Sequence, residues 1–92
     1  MPNPPFEWDE TKAASNHAKH GVSFIEATDV FDDPLMQLVY DDDHSDDEDR
    51  FLALGETRTG RLLVVAHVIR EEQIRLISAR DANRRERRDY EE

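Results

Sequence analysis

Up to Pro34 the apolar residues of this chain recur at helical spacing; beyond it they alternate or run together, as they do in strands. Asp9 is a favourable N-cap, and Glu10 places negative charge where a helix dipole favours it. Residues 10–19 contain neither Gly nor Pro, and Lys19-His20-Gly21 combines cationic residues with a glycine stop. A first helix is therefore predicted over residues 9–20. Ser23-Phe24-Ile25-Glu26 has the form of a capping box, and Phe24, Ala27, Val30 and Phe31 lie on one stripe, which predicts a second helix over residues 23–31. Asp32-Asp33-Pro34 ends it, because proline disfavours helical geometry in the residue before it. Phe6-Glu7-Trp8 fits either a short strand or an anchor for the first helix, and Pro2, Pro4 and Pro5 make residues 1–5 an extended lead-in.

Four strands are predicted after Pro34, over residues 35–40, 50–57, 61–69 and 73–79. The third is almost continuously apolar, which marks a central strand covered on both faces. The turns at Arg58-Thr59-Gly60 and Arg70–Glu72 are short enough to force an antiparallel meander. Residues 81–92 have no helix breaker and read as a last helix. The fold class is α+β: two N-terminal helices, a four-stranded antiparallel sheet and a C-terminal helix, in a single domain over residues 1–92.

There is no cysteine, so neither disulfides nor thiolate metal sites support the core. The N-terminal residues lack the basic and apolar segments of a signal peptide, and no apolar run is long enough to span a bilayer. A cytoplasmic location without membrane contact is expected. The net charge of −10 argues against a nucleic-acid partner, but its distribution alters that picture. Residues 1–49 carry two lysines against fourteen acids, whereas residues 50–92 carry ten arginines against eight acids. A cationic arginine face is possible on the second half, or the arginines pair with neighbouring acids on a solvated surface.

In chain order the sequence also carries Phe6-Glu7-Trp8-Asp9, Lys19-His20-Gly21-Val22-Ser23-Phe24, Val30-Phe31-Asp32-Asp33-Pro34, Glu48-Asp49-Arg50, Gly55, and Gly60 to Val65. Ile74-Arg75-Leu76-Ile77-Ser78-Ala79-Arg80, Arg84, Glu86-Arg87 and Tyr90 complete the set. From Phe6 to Tyr90 the chain resembles the BrnT family of bacterial toxins, and the Lys-His-Gly-Val-Ser-Phe and Ile-Ser-Ala-Arg runs are specific in combination. The resemblance implies a RelE-like fold, a ribonuclease that arrests translation, and a BrnA-type antitoxin partner. Such antitoxins carry a ribbon-helix-helix part, so DNA contact is expected only through the complex.

Cleaving RNA without a metal or other cofactor requires a group to take the 2′-hydroxyl proton, a group to protonate the leaving oxygen, and positive charge at phosphorus. The catalytic candidates are Glu48, Arg50, His67, Arg75 and Arg80. Glu48 and Arg50 stand two apart at the mouth of a strand. Arg75 and Arg80 would serve phosphate or a strand-edge salt bridge. His67 shares a strand face with Arg61, Leu63 and Val65, which makes it a core histidine or, if that face is open, a cleft residue. Lys19, His20, Arg61, Arg84 and Arg85 are the RNA-binding candidates. Lys19 and His20 also suit a helix C-terminus, and Asp81, Glu86, Asp89, Glu91 and Glu92 could neutralise several arginines of the last helix. The acidic 41–49 loop reads as solvated, as a hard-cation ligand, or as a contact for a basic antitoxin segment. The alternative to a nuclease is a non-catalytic antitoxin-binding subunit with decayed activity.

Overall fold

A computed structural model describes residues 5–92, so most of the expected lead-in lies outside the described residues. The elements are β1 (Phe6–Glu7), α1 (Glu10–His20), α2 (Phe24–Ala27), a 3-10 helix (Thr28–Asp32), β2 (Gln37–Tyr40), a 3-10 turn (Asp42–His44), β3 (Phe51–Glu56), β4 (Leu62–Arg70), β5 (Gln73–Asp81) and α3 (Arg84–Glu91). Both ends of α1 follow from its cap chemistry. Asp9 accepts from the amides of Thr11 and Lys12, and Gly21 adopts the left-handed conformation (φ 70°) that closes the helix by donating to the His17 carbonyl.

The sheet differs from the four antiparallel strands expected. Among the described residues it has five strands in the order β1-β5-β4-β3-β2 and is mixed, because β1 pairs in parallel with β5. Only Phe6 and Glu7 form this fifth strand, with the Ile74 amide donating to the Pro5 carbonyl at 3.1 Å. Of the two expectations for Phe6-Glu7-Trp8 the short strand is the one adopted, but two residues are too few to show in sequence that they join the main sheet. β2 to β5 form the expected antiparallel meander.

The second helix also differs. Its α-helical part stops at Ala27, and the chain tightens into a 3-10 helix, with the Thr28 hydroxyl bonding back to the Ile25 carbonyl. This tighter segment lies directly on β3. A Cβ on Gly55 would come within 2.9 Å of the Val30 side chain and 3.1 Å of its carbonyl oxygen, so glycine there permits the contact. The last helix starts at Arg84 rather than Asp81, because β5 extends to pair Asp81 with Leu63. Its cap is Asn83, in a reciprocal capping box with Glu86.

Helices cover both faces of β4. On one face, Val22, Phe24, Ala27 and Val30 pack on Ala53, Leu63, Val65, Leu76 and Ala79. On the other, Leu54, Leu62 and Val64 meet Leu52, Ala82 and Tyr90. Among the described residues no helix is long and apolar enough to cross a membrane. One buried polar side chain joins α1 to the sheet. Asn16 donates to the carbonyls of Val22 (3.0 Å) and Ala79 (2.9 Å) and accepts from the Ala79 amide (3.0 Å), as a neighbouring strand would.

Asn16→Leu strands buried backbone groups and is expected to cost roughly 2–4 kcal/mol, read as a lowered urea midpoint; an unchanged midpoint would show that water replaces the amide at no cost. The β4–β5 turn holds Glu71 and Glu72 at φ 50° and 70°, where side chains are disfavoured. Replacing the pair by Asn-Gly is expected to raise stability by about 1 kcal/mol, seen as a higher melting temperature.

Candidate functional site

Alternation along β4 sends Leu63, Val65 and His67 to the face covered by α1 and α2, and Leu62, Val64, Ala66 and Val68 to the face covered only partly by α3. β5 would lose step with this pattern but for a bulge. Ala66 pairs with Ser78 and His67 with Leu76, leaving Ile77 as the extra residue. The slip lets Leu76 and Ala79 both face the core. It also places Arg75 and Arg80, five residues apart, on the same open face, opposite Val68 and Val64.

At the α3-free end of that face lies a cleft of about 440 Å³. Arg50, Arg70, Arg75 and Lys12 supply its cations, while Glu48, Asp43, Asp46, Asp47 and His44 come from the 41–49 loop. Ser45 holds the loop in place: its hydroxyl donates to the Asp41 carbonyl (2.6 Å) and accepts from the Arg50 amide (2.9 Å). Arg70 grips Glu48 with two hydrogen bonds of 2.7 and 2.8 Å, and this grip, with lesser contributions from the charges of Arg50 and Arg75, holds the carboxyl below its ordinary pKa. Arg75 faces Glu7 at the longer distance of 3.7 Å. The Nε of Arg50 is buried and has no hydrogen-bond partner among the described residues. His44 Nδ1 lies 3.0 Å from Asp41, which orients the ring and leaves Nε2 for another partner.

Three expected catalytic residues, Glu48, Arg50 and Arg75, thus share one cleft. His67 does not join them. Its face is closed, and the ring is 2% exposed, edge-on to Phe31 and tilted against Phe51. Nδ1 lies 3.1 Å from the Val65 carbonyl, which assigns the proton to that nitrogen. Arg80 is engaged elsewhere. It pairs with Glu86 through bonds of 2.8 and 2.9 Å and so fixes the start of α3; this hydrogen-bonded pairing raises the arginine pKa and lowers that of the glutamate.

The expected RNA-binding residues fall into three places. Lys19 and His20 border a shallow depression that shares Lys12 and Ile77 with the cleft. Arg61 sits at the far end of β4, bonded to Asp81, to Glu26 and to the Gly21 carbonyl, where it ties α1, α2 and β5 together. Arg84 and Arg85 are exposed at the start of α3. Asp81 and Glu86, expected to neutralise the arginines of that helix, instead serve Arg61 and Arg80. Among the described residues no group of three His, Asp or Glu side chains is arranged to hold a metal ion, so the hard-cation reading of the acidic loop gains no support.

A family model described as "Ribonuclease toxin, BrnT, of type II toxin-antitoxin system" matches residues 8–86. The chain belongs to the BrnT family. A solved structure, that of the Brucella abortus ribonuclease toxin BrnT, shares the fold with a TM-score of 0.68 at 24% identity, over 89% of this chain and all of that one. No curated protein matches the chain. A type II toxin has an antitoxin as its partner, and this BrnT-family chain is accordingly one half of a pair.

Sequence reasoning passed over three residues of the BrnT cleft. Lys12 and Arg70 gave no signal beyond their charge, since only the folded register brings them beside Arg75. His44 did have a signal: it stands alone among acids, three residues after Asp41, a spacing at which one turn brings the two side chains together.

Burial lowers the pKa of His67 below its ordinary 6.5, although the Val65 carbonyl pulls the other way. The unfolded chain therefore takes up a proton near pH 6.5 that the folded chain refuses, and stability falls as pH drops through that value. Asp33, Asp81 and Glu86, whose pKa values are depressed, lose their contributions only below about pH 4. His67→Leu is expected to flatten the loss of stability between about pH 7 and pH 5, measured as urea midpoints at both ends. An unchanged slope would place the titrating group elsewhere.

Proposed function

We propose that this BrnT-family toxin is a metal-independent endoribonuclease whose site is the Glu48–Arg50–Arg70–Arg75 cleft, and that a BrnA-type ribbon-helix-helix antitoxin neutralises it. The observation that supports this reading is the convergence of three arginines and a lysine with a glutamate and a histidine in one cleft of a chain that matches the ribonuclease-toxin family. Arg50 lines the cleft without an ion pair among the described residues, and Arg75 meets Glu7 only at 3.7 Å, which leaves two guanidiniums for a phosphodiester. Lys12, Lys19 and His20 extend the same track along α1 and guide the strand on either side. RNA is the substrate, and DNA is contacted only by the antitoxin within the complex.

In the reaction the 2′-oxygen forms a bond to phosphorus as the bond to the 5′-oxygen breaks. Glu48 takes the 2′-hydroxyl proton, and His44, oriented by Asp41, delivers one to the departing oxygen. Arg50 and Arg75 meet the charge that grows on the phosphoryl oxygens. Arg70 makes the base depend on substrate. While it grips Glu48 the carboxylate is a weak base, and a phosphate that draws the fork away relieves the depression.

One observation favours a non-catalytic antitoxin-binding subunit. The acids of the 41–49 loop border the cleft in numbers equal to its lysine and arginines, and they repel an approaching phosphate. Induced expression in a bacterial host, with and without the neighbouring antitoxin gene, separates the two readings. Growth arrest with RNA loss, rescued by the neighbour, supports the nuclease; normal growth with folded protein present supports the subunit. On purified protein in the presence of EDTA, Glu48→Gln, His44→Ala and Arg75→Ala are each expected to lower RNA cleavage by about 10²-fold or more with the melting temperature retained. Full activity in all three variants would remove the cleft from the mechanism.

A further inference from the structure

The sheet ends on an unprotected strand. β2 is its last member, and Leu35, Leu38, Val39 and Tyr40 are 67%, 53%, 55% and 44% exposed on or just before it. Its backbone groups divide cleanly. The Asp41 amide donates to the Arg50 carbonyl at 2.8 Å, with the Ser45 hydroxyl standing between the return pair, so Asp41 faces inward. By antiparallel alternation Val39 and Gln37 also bond inward, to Leu52 and Leu54, while the amide and carbonyl groups of Leu38 and Tyr40 point outward. An apolar edge with outward-facing peptide groups is a template for another strand.

The chain beside this edge specifies the charge of what can pair there. Residues 41–49 carry seven acids and no lysine or arginine. Asp41, Glu48 and Asp49 are engaged by His44, Arg70 and Tyr40. Asp42, Asp43, Asp46 and Asp47 are exposed and make no ion pair among the described residues. A second copy of this chain would bring a second such loop and a second net charge of −10 to the contact, so pairing of β2 with β2 is opposed.

We propose that the outer edge of β2 binds an extended, cationic segment of a partner protein as a sixth strand, with apolar side chains over Leu38, Val39 and Tyr40 and lysine or arginine against the 41–49 loop. The added strand gains main-chain bonds at Leu38 and Tyr40, and the loop supplies specificity and a faster encounter. Bound there, the segment runs beside the loop that frames the cleft. The proposal does not require the chain to be a nuclease, and its test is arranged to tell the two failures apart.

The probe is a capped peptide of about ten residues with a Val-Thr-Val-Thr centre and arginines at both ends; its controls carry glutamates at the ends or a proline in the centre. The arginine peptide is expected to bind with an affinity that falls as salt is raised, and to slow hydrogen exchange at the Leu38 and Tyr40 amides by about 10-fold or more. Neither control binds. Leu38→Pro removes an outward amide without touching the inward ladder, so it is expected to melt cooperatively and to abolish binding. Asp46→Lys combined with Asp47→Lys leaves the backbone alone and weakens binding by about 10-fold or more. Leu38 lies outside the cleft, so free Leu38→Pro protein keeps whatever RNA cleavage the parent shows, and a silent nuclease assay with intact peptide binding counts only against the function proposed above. Absence of binding, binding without protection at Leu38 and Tyr40, equal binding of the glutamate peptide, or concentration-dependent dimerisation through β2 would each overturn the proposal.

Discussion

The carboxamide of Asn16 holds the molecule together at the place where its sheet would otherwise come apart. Among the described residues β1 covers the outer edge of β5 at two positions, Ile74 and Arg75, and the edge around Ala79 has no strand partner. Asn16 bonds both the amide and the carbonyl of Ala79 and, with its other amide hydrogen, the carbonyl of Val22. A helix therefore completes a strand edge, and the turn leaving that helix is fixed by the same side chain. An apolar residue could fill the space but not the bonding: three buried backbone groups would lose partners worth about 1–3 kcal/mol each. With α1 set by this contact, Lys12, Lys19 and His20 line up beside Ile77 and Ser78, and the cleft acquires one wall.

The bulge at Ile77 supplies the other half of the geometry. In an unbroken strand, residues 75 and 80 would point to opposite faces, and one arginine would enter the core, where an unpaired charge is untenable. The extra residue keeps Leu76 and Ala79 inside and both arginines on the open face. Their fates then diverge through their neighbours. Arg80 has a bidentate carboxylate in Glu86, whereas Arg75 has Glu7 at 3.7 Å. Pairs this exposed add only about 0–1 kcal/mol to stability, so their consequence is positional. Arg80 is committed to α3, and Arg75 remains available to a ligand.

The parts of this fold that the sequence discloses are those governed by local chemistry. Asp9 and Gly21 bound α1, and Gly60 and the charged 70–72 turn delimit the strands of the meander, because caps and turns act through a few adjacent residues. The alternation of β4 likewise puts His67 on one face with Leu63 and Val65. Which face is covered depends on where α1 and α2 pack, and no periodicity within β4 carries that information. The same limit hid Asn16, a polar residue on a weakly apolar helix, whose partner at Ala79 is sixty-three positions away. It hid the pairing of β1, since Phe6-Glu7 reads as a strand or a helix anchor in sequence while its partners Ile74 and Arg75 stand sixty-eight positions away. Within the cleft, Glu48 and Arg50 were legible because they are near in sequence, while Arg70 and Lys12 join them only through folding.

The charge asymmetry of the chain takes on a different meaning once its halves are placed in space. An acidic N-terminal half and an arginine-rich C-terminal half would attract each other indiscriminately in a collapsed chain. Folding instead assigns partners: Glu26 and Asp81 to Arg61, Glu48 to Arg70, Glu86 to Arg80, and Asp29 to Arg58. What remains unassigned is unevenly distributed, with exposed aspartates collecting on the 41–49 loop between the cleft and the edge of β2. Natural edge strands are commonly guarded by lysine, proline or a covering helix. Among the described residues β2 has none of these on its outer side, and its protection is electrostatic and selective by sign. Like-charged copies are kept apart while a cationic strand is drawn in. The same aspartates that border Arg50 and Arg75 in the cleft discourage self-association at the edge, so much of the acidity seen in the composition is concentrated in one loop that touches both surfaces.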